Sequence, residues 1–251
     1  MNPLQACIRQ GRPALGMLLT IPSPTVAQVL AAAGLDWLFI DMEHAPFDLE
    51  SAHAIIAATK GTECAVVARV PTVQRWLAKP LLDAGAHGIV FPMVCSRAEA
   101  EEAALAVRYP PVGERGYGPF YAPARWGLSM ADYIARANDY VTCMPLIEHI
   151  DAVRNLDDIL SVPGLDVGFI APFDLSASLG HPGEREHPAV AQAIATAEEK
   201  IAASPLALGG LARDAEDAAA MVARGYQAVM LGFDIGYLEG AVRASIEHIR
   251  G

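Results

Sequence analysis

Eight short apolar runs, rich in β-branched and aromatic residues, alternate with eight alanine-rich stretches along the 251 residues. The runs lie at 14–20, 36–42, 64–70, 88–94, 141–148, 166–172, 206–210 and 228–232. The helical stretches follow them at 24–33, 48–59, 73–84, 97–107, 151–160, 188–203, 213–224 and 236–249. A strand that is apolar on both faces belongs to a parallel sheet covered by helices. Eight such βα units at this length match one (β/α)₈ barrel. Ser23, Ser96 and Asp214 stand at helix starts, where a short polar side chain caps free N–H groups. Gly34, Gly61, Gly85 and Gly225 stand at helix ends. No linker or low-complexity segment divides the chain, so a single domain over 1–251 is expected.

One connection breaks the rhythm. Residues 109–140 read YPPVGERGYGPFYAPARWGLSMADYIARANDY, and only 129–138 carry a helical pattern. A long connection inside a compact domain is a lid, an assembly surface or a plain surface excursion.

Charge and composition narrow the partners. The net charge is −11 and no basic patch interrupts it, which argues against nucleic acid and against anionic membranes. No segment approaches the ~20 apolar residues of a membrane span. The first residues, MNPLQACIRQGRP, lack the apolar stretch of a secretory signal. Cys7, Cys64, Cys95 and Cys143 form no CxxC pair and are expected as reduced thiols of a cytoplasmic protein.

Chemistry gathers where the runs end. In a barrel, strand C-termini line one face, so side chains from distant parts of the chain converge there. CMPLIE ends on Glu148, VGFIAPFD on Asp174, LFIDMEH on Asp41, Glu43 and His44, and AVVARVP delivers Arg69. Two carboxylates with waters suit a hard cation such as Mg²⁺. Each acid alone reads equally well as a helix cap or a solvated loop residue. His44 suits proton transfer near neutral pH, or is a hydrogen-bonded structural histidine. Arg69 suits bidentate capture of a carboxylate, or is ion-paired with a strand-end acid. The lysines are Lys60, Lys79 and Lys200, all on helices or at their ends, so no Schiff-base lysine is available inside a barrel. Gly209, Gly210 and Gly232 follow the last two strands, where barrels often bind phosphate and where glycine is also ordinary turn chemistry. Asp83 stands near a helix end, where negative charge opposes the dipole.

The segments SPTVAQVLAAAGLDWLFIDMEHAPFD, ARVP, LLDAGAHGIVFPMV, YPPVGERGYG, LIEHIDAVRNLDDIL and APFDLSASLGHPG resemble the HpcH/HpaI aldolase family of metal-dependent class II pyruvate aldolases, over roughly residues 10–240. The resemblance implies a (β/α)₈ TIM barrel of the phosphoenolpyruvate/pyruvate-binding type. It implies a homo-oligomer, a hexameric trimer of dimers that exchange the C-terminal helix. It implies Glu148 and Asp174 as ligands of a divalent cation, Mg²⁺ or Mn²⁺, with Co²⁺ also admitted. Arg69, with backbone N–H groups around Phe173 and Asp174, matches the pyruvate-carboxylate position. His44 matches the catalytic histidine, Asp83 the acid paired with it, and Asp41 a further active-site acid. The implied reaction cleaves a 4-hydroxy-2-oxo acid to pyruvate and an aldehyde through a metal-stabilised pyruvate enolate. Two departures bear on substrate placement. The chain reads Leu146-Ile147-Glu148 where members often read Gln-x-Glu, and Ala171-Pro172-Phe173-Asp174 where they often read Gly-Pro-Ala-Asp. The alternatives are a CoA-ester lyase on the same barrel and a non-catalytic small-acid-binding protein.

Overall fold

The computed structural model describes residues 2–251. Eight parallel strands close into a barrel in sequence order. They are β1 (Ala14–Leu19), β2 (Trp37–Asp41), β3 (Ala65–Arg69), β4 (Gly88–Phe91), β5 (Thr142–Ile147), β6 (Val167–Ile170), β7 (Ala207–Leu211) and β8 (Ala228–Phe233). The expected runs become these strands to within a few residues at each end. The helices of the outer ring are α2 (Pro24–Ala32), α3 (Leu49–Ala58), α4 (Arg75–Ala84), α5 (Arg97–Val107), α8 (Ile150–Arg154), α9 (Leu156–Leu160), α11 (Pro188–Ala202), α12 (Ala215–Ala223) and α13 (Asp234–Arg250). Four further helices complete the chain: α1 (Pro3–Arg9), α6 (Ala122–Trp126), α7 (Met130–Tyr140) and α10 (Pro172–Ser178).

The caps form as the residue types require. Ser23, Ser96 and Asp214 accept from the N–H groups of Val26, Glu99 and Asp217. Gly34, Gly61, Gly85 and Gly225 all take positive φ. The stretch expected as one helix over 151–160 divides at Asn155 into α8 and α9.

Side chains alternate inward along each strand with period two. Ala14 and Leu18, Trp37 and Phe39, Ala65 and Val67, Met144 and Leu146, Val167 and Phe169, Ala207 and Leu211, and Ala228 and Met230 form the barrel interior. Gly16 and Gly209 occupy the same inward rows because their neighbours fill the space. A Cβ on Gly16 would lie 2.2 Å from Trp37 Cε2, and one on Gly209 2.8 Å from Phe169 Cδ2. Gly209 and Gly210 therefore sit within β7 and serve packing, not a phosphate loop beyond it. Gly232 likewise lies inside β8.

The N-terminal mouth is plugged by α1, which the sequence pattern did not reveal. The Asn2 side chain caps α1 by accepting from Leu4 N–H and donates to the carbonyls of His87 (2.8 Å) and Tyr140 (2.7 Å). Leu4 and Cys7 then enter the interior cluster. The long connection folds as well. Trp126 donates to Gly85 O (2.9 Å) and stacks on His87. Arg115, with no side-chain exposure, lies over the Tyr109 ring and donates to Asp83 Oδ1 (2.7 Å). All four cysteines are free thiols. Among the described residues, no helix is long and apolar enough to cross a membrane.

Candidate active site

The inward alternation does not stop at the apolar layers. One step beyond Trp37 and Phe39 is Asp41, one step beyond Ala65 and Val67 is Arg69, and one step beyond Met144 and Leu146 is Glu148. Asp41 and Arg69 are register partners on adjacent strands. The pair is bidentate, with Arg69 Nε 2.9 Å from Asp41 Oδ1 and Nη2 2.7 Å from Oδ2. Asp41 Oδ1 also accepts from the N–H groups of Glu43 and His44. Burial pushes the Asp41 carboxyl up, but the Arg69 fork and these two N–H groups outweigh it, and the net shift is downward. Arg69 thus makes the ion pair with a strand-end acid that was one of its two readings. Its Nη1 is left facing Glu43 Oε2 at 3.2 Å.

Glu43, named with Asp41 and His44 at the end of its run but given no role there, is also a site residue. Its Oε2 is buried, lacks a properly aligned hydrogen-bond partner, and lies 3.9 Å from His44 Nε2. Burial raises its pKa despite the facing Arg69. His44 is largely solvent-facing at its side chain and lines the cleft described below.

Glu148 is 3% exposed. Met93 N–H donates to its Oε1 at 2.7 Å. Met93 holds φ at +52°, the one positive φ on a non-glycine among the described residues, and this turn is what presents the N–H to Glu148. Burial above all, then the charge of Asp174, lifts the Glu148 carboxyl from its ordinary 4.5 to about 7, against the Met93 N–H and Arg69. Asp174 is the third residue of α10, whose N-cap is Ala171 and whose first residue is Pro172. The N–H groups of Phe173 and Asp174 fall in the first turn, which has no intrahelical acceptors.

A cleft of about 580 Å³ opens on this face. Asp41, His44, Arg69, Asp174 and Phe173 line it together. Asp83 does not. It sits on α4 beside Lys79, His53 and Tyr117, paired to Arg115 and separate from the cleft that holds His44. Within one chain the acid next to His44 is Glu43. The long connection 109–140 also contributes no lining residue, so it is not a lid on this cleft. The two departures both surface here: Leu146 and Phe173 line the cleft, with Phe173 44% exposed and the Arg185 guanidinium 5.8 Å from its ring.

Three carboxylates, Asp41, Glu43 and Glu148, lie around one fixed cation, Arg69, itself committed to Asp41, and the charge of Asp174 reaches Glu43 and Glu148. The excess negative charge and the raised Glu148 fit a bound divalent cation. No three His, Cys, Asp or Glu groups converge among the described residues. Glu148 and Asp174, the pair the resemblance implies, would leave the remaining positions to water and substrate, a donor set for a hard ion.

A family model described as HpcH/HpaI aldolase/citrate lyase matches residues 15–241. The chain is 41% identical over 213 residues to a hydroxypyruvate/pyruvate aldolase of Roseovarius nubinhibens, covering 85% of this chain and 83% of that one. It is 38% identical over 234 residues to a 2-keto-3-deoxy-L-rhamnonate aldolase of Shigella sonnei, covering 93% and 87%. Among solved structures, an HpcH/HpaI aldolase/citrate lyase family protein from Burkholderia cenocepacia superposes with a TM-score of 0.91 at 32% identity, covering all of both chains.

Proposed function

The chain belongs to the HpcH/HpaI aldolase/citrate lyase family and is a carbon–carbon lyase of the aldolase kind, and we propose that it joins and releases pyruvate and an aldehyde as a 4-hydroxy-2-oxo acid. The observation that carries this reading is the polar top layer: the Asp41–Arg69 fork in the cleft with Asp174 and His44, and beside it Glu148, buried outside the cleft lining and coupled by charge to Asp174 and Arg69.

Glu148 and Asp174 would hold Mg²⁺ or Mn²⁺, with Co²⁺ as the third candidate. Such a cation supplies Lewis-acid polarisation of the oxo group and balances the carboxylates when bound. Arg69, fixed by the Asp41 fork, would meet the substrate carboxylate with Nη1, which it must then share with Glu43 Oε2 at 3.2 Å, assisted by the N–H groups of Phe173 and Asp174. His44 would take and return the proton of the aldol hydroxyl, with Glu43 as its neighbouring carboxylate. Asp83 would act on His44 only if assembly brought another chain's α4 to this cleft, because within the chain it stands apart from the cleft, beside Lys79, His53 and Tyr117.

Assembly is supported by α13. Of its residues only Asp234 is buried, while Leu238, Val242, Ile246 and Ile249 stand exposed at helical spacing beyond the cleft. We infer a homo-oligomer in which this face is covered by another copy, with helix exchange and a hexamer as the specific form.

The test is oxaloacetate decarboxylation and aldol addition of pyruvate to small aldehydes, with Mg²⁺ or Mn²⁺ and with EDTA. Activity removed by EDTA and restored by metal is expected, as is its loss in Glu148→Ala and Asp174→Ala. Undiminished activity in EDTA or in either variant would refute the reading. A CoA-ester substrate finds no support here, since Arg69 is the one permanent cation lining the cleft among the described residues.

A further inference from the structure

The top of the barrel is divided. Strands β2, β3 and β5 end inward on Asp41, Arg69 and Glu148. Strands β1, β7 and β8, which lie across the ring from β5, β3 and β4, end inward on Leu18, Leu211 and Met230. Phe233 and Ile235 extend this second sector along the cleft wall, and Phe173 forms its rim. Its only polar lining side chain among the described residues is Thr20, and that hydroxyl is already given to Asp234 at 2.6 Å. Asp234 is itself saturated, accepting also from the N–H groups of Thr20, Ile21 and Ile235.

The pose proposed above sets which end of the substrate enters the apolar sector. With its carboxylate at Arg69 and its oxo group toward Glu148 and Asp174, pyruvate turns its C3 carbon away from β3 and β5. The new carbon–carbon bond then extends toward β7, β8 and β1. We propose that Leu18, Leu211, Met230, Phe233 and Ile235, with Phe173 at the rim, form the acceptor subsite, and that it selects aldehydes bearing an apolar chain over polyhydroxylated ones. The proposal rests on the aldolase reading above and goes beyond it by naming the acceptor class. A hydroxyl carried onto Leu18, Leu211, Met230 or Phe233 leaves water and meets among the lining side chains only the Thr20 hydroxyl, whose proton is already given to Asp234, whereas each buried methylene gains hydrophobic free energy. Of the two residues that depart from the common family pattern, Phe173 adds to this apolar surface at its rim, while Leu146 lies on β5 in the polar sector.

The experiment compares propanal, butanal and pentanal, whose carbonyls are equally reactive, with glycolaldehyde and glyceraldehyde as acceptors for pyruvate in the presence of Mn²⁺. Exchange of the pyruvate C3 protons with D₂O, followed by NMR without any acceptor, reports the pyruvate half-reaction separately. The expected result is a kcat/KM that rises about fourfold per methylene, with pentanal ahead of glyceraldehyde by about 10²-fold or more. In Phe233→Asn and Leu211→Asn the pentanal-to-propanal ratio should fall toward one. That ratio is taken within a single preparation, so a partly folded variant does not imitate the effect. A flat chain-length series, or a preference for glyceraldehyde, in an enzyme that exchanges pyruvate protons would overturn the proposal and leave the aldolase reading intact. An unchanged ratio in both variants would remove the subsite from this sector. Absence of exchange with any cation would remove the proposal together with the reading beneath it.

Discussion

Replacing Glu148 by glutamine should make the metal-free protein more stable while abolishing its response to metal. Glu148 is buried, and burial lifts its carboxyl from 4.5 to about 7. A group whose pKa is higher in the fold than in the open chain binds its proton more tightly when folded. Its favourable contribution is therefore complete below about pH 4.5 and is lost as pH rises through 7. At pH 8 the ionised carboxylate costs the metal-free fold roughly 3 kcal/mol. Glutamine keeps an oxygen to accept from Met93 N–H and carries no charge. In EDTA at pH 8, Glu148→Gln should gain about 2–3 kcal/mol in urea unfolding, or about 5–10 °C in Tm for a chain of this size. At pH 5 the two proteins should nearly coincide. Millimolar Mg²⁺ or Mn²⁺ should raise the Tm of the wild type, because a ligand that binds only the folded state stabilises it, and should leave the variant unmoved. A variant no more stable than wild type at pH 8, or one still stabilised by metal, would refute the account of Glu148 as a buried carboxylate awaiting a cation.

Arg69→Ala should raise the pyruvate KM and cost about 3–5 kcal/mol, since Asp41 would be left buried without its partner; steady-state kinetics and urea melts check both, and an unchanged KM would take Arg69 out of the carboxylate role. Gly16→Ala should destabilise by about 1–3 kcal/mol or more, because the new Cβ meets the Trp37 ring inside the barrel; a melt equal to wild type would contradict the close approach. Asp83→Asn should lower stability by exposing the buried Arg115 guanidinium to an unpaired state; wild-type stability would show that the pair contributes nothing. Leu238→Glu on α13 should reduce the sedimentation coefficient to that of a smaller species, and an unchanged value would free this face from the interface.

Much of the architecture was written in local patterns. Eight apolar runs became eight strands because parallel strands in a barrel are buried on both faces and leave no polar alternation to mislead. Asp41, His44, Arg69 and Asp174 could be picked out because a charged residue closing an apolar run has one place to go, the C-terminal mouth. What stayed hidden depends on contacts between distant segments. Asp83 stood out only by resemblance, and its real partner, Arg115, is 32 residues away in a connection with no periodic signal. Met93 acts through its backbone N–H, which any residue type carries. α1 and α10 are one to two turns long, too short for a hydrophobic period to show, and α1 is fixed by Asn2 reaching residues more than 80 positions away. Gly209 and Gly210 looked like a turn because glycine usually marks one, whereas here Phe169 and Tyr226 occupy the volume their side chains would need.

The same period of two that builds the interior also separates chemistry from selectivity at its top. Each strand contributes one inward residue at the level of the cleft, and the residue type is free to differ between strands because neighbours there touch water or substrate as well as each other. On β2, β3 and β5 that freedom is spent on Asp41, Arg69 and Glu148, which are coupled by an ion pair and by mutual charge and so cannot be exchanged singly without loss. On β1, β7 and β8 it is spent on Leu18, Leu211 and Met230, which interact only by packing. Substitutions among these apolar residues should therefore change which acceptor is taken while leaving the carboxylate fork and the Glu148 environment in place. Changes in the polar half should remove turnover for every acceptor alike. If an Asn at Leu211 abolished pyruvate proton exchange as completely as an Ala at Arg69, the two halves would be energetically coupled and the division of labour would fail.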